Sequence, residues 1–263
     1  MSYNDNRYGG NDNRYSGNNN RYGGQPSDLF PSLWANEEEL SRATSSCLTR
    51  VFLRMFAALL VTAASAFIVV GSVPLQNMII GNQFVFFGLL IVQLILVFSI
   101  SARIQRLSPV AANMLFFLYA ALNGLTLSVI FFVYEIGIIY HAFAVAALMF
   151  AAMALYGTIT RRDLTTIGSL CTMGLFGIII ASVANMLFFR NEMLFMMISY
   201  VGVLVFVGLT AYDTQKIKLM LRDAHADSHI EAIQKISVIG ALKLYLDFIN
   251  LFLMILRIMG RRR

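Results

Sequence analysis

Seven long apolar segments, at 51–71, 85–102, 110–134, 138–158, 166–189, 193–212 and 237–259, set the limits on what this chain can become. A bilayer core about 30 Å thick takes roughly 20 helical residues to cross. Inside it no water satisfies backbone N–H and C=O groups, so a spanning segment of this length and pattern must be a helix. The short stretches of alternating polarity that mark an outer-membrane barrel do not occur. Hydrophobic residues make up 58% of the 263 and charged residues only 13%, about half the charged share of a soluble domain. The expected fold is an all-α integral membrane protein, a seven-transmembrane-helix bundle in the lipid bilayer.

The organisation around those segments is simple. Residues 1–49 are expected to form a tail and lead-in, and residues 50–263 the membrane domain. The tail holds three tandem seven-residue units, Asn-Asp-Asn-Arg-Tyr-Gly-Gly, Asn-Asp-Asn-Arg-Tyr-Ser-Gly and Asn-Asn-Asn-Arg-Tyr-Gly-Gly, at 4–24. The period is that of a heptad, but apolar a and d positions are missing and Asn and Gly dominate, which predicts disorder rather than a coiled coil. No apolar core follows a basic start there, so a cleavable signal peptide is not expected. Phe30 and Trp34 suit the headgroup level, and residues 37–42 read as a short polar helix. Turn chemistry and charge separate the apolar segments: Pro74 and Asn77, then Arg103, Arg106 and Pro109, then Arg161, Arg162 and Asp163. The stretch 216–235 reads as the longest polar linker.

A formal net charge of +6 would suggest nucleic acid in a soluble protein. Here the basic residues sit at segment ends, so no nucleic-acid partner is expected and the charge is read as a topology signal. Arg42, Arg50 and Arg54 precede the first segment, and Arg103, Arg106, Arg161, Arg162, Lys216, Lys218, Arg222 and Lys235 fill the second, fourth and sixth connections. The first, third and fifth connections carry only Glu135, Arg190 and Glu192. The amino terminus is therefore expected in the cytoplasm. Arg261, Arg262 and Arg263 then conflict with seven full crossings; length favours a crossing over a re-entrant last segment.

Ionisable groups inside apolar segments are expensive and mark function by default. In the last segment Gly240, Lys243, Asp247, Asn250 and Met254 share one face at 100° per residue, and Asp213 near the end of the sixth segment is the nearest candidate partner. If the last two helices are antiparallel neighbours, the carboxylates lie at similar depth. Two carboxyls in a low-dielectric site resist joint ionisation and titrate as a unit, which is a pH sensor and, when ionised, a cation site. The alternative is local pairing within each helix, Lys243 with Asp247 and Lys216 with Asp213. Oxygen ligands suit Ca²⁺, although two carboxylates and an Asn are too few to name a metal. Asp223, His225, Asp227 and His229 are expected on a solvated loop rather than around zinc. The two cysteines, Cys47 and Cys171, suggest no disulfide framework. No nucleophile-elbow, Walker or zincin signature appears, so an enzyme is not expected and no cofactor is required.

Ala211-Tyr-Asp-Thr-Gln-Lys-Ile217 and Leu244-Tyr-Leu-Asp-Phe-Ile-Asn-Leu-Phe252 resemble the paired carboxy-terminal signatures of the transmembrane Bax inhibitor motif family, in its bacterial inner-membrane branch. Asn123-Gly-Leu-Thr-Leu-Ser128 and Tyr156-Gly157 fit the same pattern, and the resemblance covers about residues 50–260. It implies a bundle with the carboxy-terminal helix central, in the cell inner membrane. It also implies a pH-sensitive Asp213–Asp247 pair and a Ca²⁺ leak, with Ca²⁺ or protons as the partners of the pair. An arginine at the end of the second helix, Arg103 or Arg106, is the implied latch, and Arg257 matches a basic position near the end of the last helix. Lys243 departs from the small or polar residue expected there. The competing expectation is a non-conducting regulator that binds a membrane protease or another membrane protein.

Overall fold

A computed structural model describes residues 26–226 and 230–260. The repeats at 4–24, the side chains of Phe30 and Trp34, residues Asp227 and His229, and Arg261 to Arg263 lie outside the described residues. The chain divides into two compact units, Met1–Glu39 and Leu40–Arg263. In the first, the described backbone is helical.

Nine α-helices are described: α1 Pro26–Val70, α2 Val73–Ile79, α3 Gln83–Arg103, α4 Pro109–Leu127, α5 Ile130–Val133, α6 Ile136–Ile159, α7 Thr165–Ala184, α8 Glu192–Ala226 and α9 Ile230–Met259. Their starts carry the expected punctuation. Asn82 Oδ1 accepts from Phe84 N at 3.0 Å to open α3, and Ser108 Oγ accepts from Ala111 N at 3.2 Å with Pro109 at the first helical position of α4; both devices satisfy orphan donors. A π-helical turn, Asn185–Phe189, closes α7 and leads into Arg190 in the left-handed region at φ 46°. Asn185 holds that reversal by donating to Asn191 O at 3.1 Å and accepting from Asn191 N at 2.9 Å.

Among the described residues seven helices are long and apolar enough to cross a membrane: Glu37–Val70, Gln83–Arg103, Pro109–Val133, Ile136–Ile159, Thr165–Phe189, Glu192–His225 and Ile230–Met259. Of its apolar window, the last buries 72% against 11–44% for the other six. Its packing partners include α8, α6 and α4. It is one unbroken helix, with no reversal within Ile230–Met259 of the kind a re-entrant segment needs. The segments Gln83–Arg103 and Thr165–Phe189, each only 11% buried, present side chains such as Phe84, Phe98, Leu170 and Phe176 outward, as lipid-facing helices do.

The stretch 216–235 is not a linker. Helix α8 continues to Ala226 and α9 begins at Ile230, because Ile217, Leu221 and Ala224 recur at helical spacing and are buried, giving the charged extension an apolar stripe to pack. The two helices run antiparallel in a definite register: Gly202 faces Met254 and Gly240 faces Ile217, while Asp213 meets Lys243. Close approach elsewhere depends on glycine. A Cβ on Gly157 of α6 would collide with the Ala211 carbonyl of α8, and one on Gly124 of α4 with the Thr62 carbonyl of α1, the small-residue contact that membrane helices use to pack.

Candidate functional site

Residues 211–218 of α8 lie against α6, α7 and α9, and nearly every side chain there has a separate task. Ala211 accepts the close approach of Gly157, and Tyr212 packs over Gly168 of α7. Gln215 secures the α6–α7 connection: its Nε2 donates to Arg162 O at 2.7 Å and its Oε1 accepts from Leu164 N at 3.0 Å. Lys218 Nζ donates to Thr158 O at 2.7 Å and so caps the end of α6. Just beyond, the Thr165 hydroxyl at 2.6 Å and amide at 2.9 Å both donate to Asp163 Oδ1. Those two donors hold the Asp163 carboxyl below its ordinary range.

With its neighbours committed, Asp213 is left to face inward. It lines a cavity of about 350 Å³ together with Asp247, Lys243, Lys216, Asn250 and Tyr212. Both aspartates are buried, 7% exposed for Asp213 and 6% for Asp247. The structure therefore brings the two carboxylates into one cavity, but in a staggered arrangement. The helix register sets Lys243 opposite Asp213 and places Asp247 one turn, about 6 Å, further along α9.

Lys243 Nζ lies 3.3 Å from Asp213 Oδ1, across the helix pair. The intrahelical alternatives are not the bonds that form. A helical side chain leans towards the amino-terminal turn of its own helix, which carries the Lys243 ammonium away from Asp247 and across to α8. Lys216 instead lies 3.2 Å from the Tyr212 hydroxyl and 5.4 Å from the centre of its ring. Asp247 Oδ2 is buried with no hydrogen-bond partner among the described residues, and its charged neighbours there are Asp213 and Lys243. Asn250 Nδ2 donates to Leu246 O at 2.9 Å, so its Oδ1 remains to accept.

The other expected site residues fall elsewhere. Arg103 and Arg106 are exposed at the end of α3 and in the turn after it, and neither lines the cavity. That turn is tied instead to α9 by Lys235 Nζ, which donates to Gln105 O at 2.9 Å. Arg257 lies at the far end of α9, its guanidinium stacked 4.7 Å from the Phe195 ring centre. His225 is on helix α8 rather than a loop. Its Nδ1–H donates to Leu221 O at 2.7 Å, which turns Nε2 towards Cys47 Sγ at 3.6 Å. Among the described residues no group of three or more His, Cys, Asp or Glu is placed to hold a metal.

Sequence reasoning overlooked a second buried polar cluster, one that joins three helices. Asn123 Nδ2 of α4 donates to the Tyr245 hydroxyl of α9 at 2.9 Å. That hydroxyl lies 2.7 Å from Thr62 Oγ1 of α1. Thr62 has its own carbonyl acceptors, Ala58 O at 3.0 Å and Ala120 O at 2.9 Å, so Tyr245 is the donor to Thr62. The available signal was Thr62 and Asn123 themselves, polar side chains within apolar runs.

Several known proteins are similar to this chain over most of its length. The chain is 48% identical over 218 residues to the inner membrane protein YbhL of Escherichia coli, covering 82% of this chain and 92% of that one. It is 44% identical over 216 residues to an uncharacterized protein of Borreliella burgdorferi, with the same coverage. Identity to an uncharacterized protein of Deinococcus radiodurans is 38% over 216 residues, covering 82% of this chain and 90% of that one. Residues 44–263, which include both signatures and the whole cavity, match the family described as Inhibitor of apoptosis-promoting Bax1, and the chain belongs to that family.

Proposed function

We propose that the chain is a pH-sensitive calcium leak of the bacterial inner membrane, with the Asp213–Asp247 cavity as both gate and cation site. The observation that carries this reading is Asp247 Oδ2, a carboxylate oxygen buried in the cavity without a hydrogen-bond partner among the described residues. An unsatisfied buried oxygen costs about 1–3 kcal/mol, and more when charged. A proton or a cation that visits the site offsets that cost. Oxygen from Asp213, Asp247 and Asn250 suits a hard divalent ion such as Ca²⁺, and so small a donor set suits a passing ion better than a resident one. The inner-membrane assignment follows the similarity to YbhL. A cytoplasmic amino terminus follows the charge division among the connections, and the cavity then lies towards the cytoplasmic end of α8 and α9.

The test is Ca²⁺ flux from proteoliposomes between about pH 6 and 8, for the wild type, Asp213→Asn, Asp247→Asn and the double variant. Carboxylates acting as one unit are non-additive. Each single variant should flatten the pH response, and the double should be little worse than the more severe single. Additive effects with an unchanged pH response would refute the paired gate. Absence of flux from the wild type at every pH would refute the leak and favour the regulator that binds a membrane protease or other membrane protein.

A further inference from the structure

The cavity already contains a cation that cannot diffuse away. Lys243 Nζ lies 3.3 Å from Asp213 Oδ1, and its side chain is 42% exposed against 10% for that of Asp213. The ammonium thus has a carboxylate on one side and a route to water on the other. Its four-carbon stem lets it take either position. Lys216, the other basic residue at the cavity wall, is engaged by Tyr212, and the arginines at the end of α3 do not line the cavity.

We propose that Lys243 is a tethered competitor for the cation site, which must leave Asp213 before a divalent ion can bridge Asp213 and Asp247, and which therefore sets the affinity of the cavity for divalent ions. This rests on the reading of the cavity as a cation site. Charge decides the competition. With both aspartates ionised and the lysine seated, the three groups carry a net charge of one negative unit; with the lysine withdrawn, the carboxylates present two. A divalent ion gains most from the second state, whereas a monovalent ion arriving at the first meets a site whose best acceptor is already taken. Asp247 and the Oδ1 of Asn250 are the acceptors available for a first encounter. Displacement of the lysine from Asp213 completes the site.

The experiment is a calorimetric Ca²⁺ titration of the full-length protein in nanodiscs, with helical circular dichroism as the check on folding. Lys243→Met should bind Ca²⁺ roughly tenfold more tightly or better, since a neighbouring unit charge is removed. Lys243→Gln serves as a second neutral variant if the methionine variant does not fold. Lys243→Arg, which keeps the charge, should bind within about threefold of the wild type. Neutral variants that bind no more tightly than the wild type, while Asp247→Asn weakens binding, would overturn the competitor and leave the cation site standing. Ca²⁺ binding unaffected by both Asp213→Asn and Asp247→Asn, in the wild type and in Lys243→Met, would overturn the competitor and the cation site together.

Discussion

The Tyr245 hydroxyl offers a sharp test of how the bundle is held together, because its removal changes little else. Tyr245 is fully buried, and its ring meets Phe116 and Tyr119 edge-on with centroids 5.7 and 5.9 Å away. Tyr245→Phe keeps those contacts and leaves a gap of a single oxygen. It removes two interhelical hydrogen bonds, from Asn123 Nδ2 and to Thr62 Oγ1. Thr62 keeps its carbonyl acceptors, but the Asn123 amide is left with a buried, unsatisfied donor. Interhelical bonds in membrane proteins average about 0.6 kcal/mol each and reach about 1.7, and the orphaned donor costs about 1–3. The expected loss is about 2 kcal/mol, roughly a thirtyfold change in the folded-to-unfolded ratio. Reversible unfolding in mixed micelles, followed by circular dichroism, measures it. Tyr119→Phe is the control, since its hydroxyl makes no hydrogen bond among the described residues. Asn123→Ala should cost less in the Tyr245→Phe background than alone, by a coupling of about 1 kcal/mol or more, because both changes remove the same bond. A Tyr245→Phe variant as stable as the Tyr119→Phe control would refute the cluster as a joint between α1, α4 and α9.

Gly157→Val should destabilise by about 1–3 kcal/mol or more, because its side chain enters the Ala211 carbonyl; the same unfolding assay measures it, and lower flux should accompany it, since the displaced backbone lies two residues from Asp213. Gln215→Leu releases both bonds to the α6–α7 connection, and should raise amide exchange at Leu164 and proteolysis after Arg161 and Arg162 while leaving exchange in α9 unchanged. Asp163→Asn tests the acid limb of stability. A carboxyl held below its ordinary range by Thr165 stabilises the fold above its unfolded pKa, and that contribution is lost as pH falls from about 4 through the folded value. The variant should therefore be less acid-sensitive at this step, and an identical acid limb in the two proteins would count against it.

How much was legible beforehand varied with the physics at each position. The segments 85–102, 138–158 and 166–189 end within two residues of Gln83–Arg103, Ile136–Ile159 and Thr165–Phe189, since hydropathy and turn residues change together at a membrane boundary. The stretch 216–235 was misread because charge averaged over a window hides the buried stripe of Ile217, Leu221 and Ala224. The two aspartates stood out by cost alone. The partner of Lys243 did not, because spacing within one helix favours Asp247, and only the register between helices reveals that Asp213 is the carboxylate it reaches. Gln215 is silent in sequence for a related reason: its two acceptor and donor partners are backbone groups of a connection 51 and 53 residues away.

Helix α9 has the lowest mean hydropathy of the seven spans and also the greatest burial, a combination with consequences for biosynthesis. On insertion scales a Lys or an Asp near the middle of a helix each costs about 2.5–3.5 kcal/mol, while a Leu, Ile, Phe or Val returns only about 0.3–0.6. Lys243 and Asp247 together thus cancel the contribution of roughly ten apolar residues when α9 meets lipid alone. Beside α8, the lysine finds Asp213 and the polar face is covered. The final helix thus enters the bilayer on the terms of a partner already in place, and loss of that partner turns a folding defect into one of translocon release.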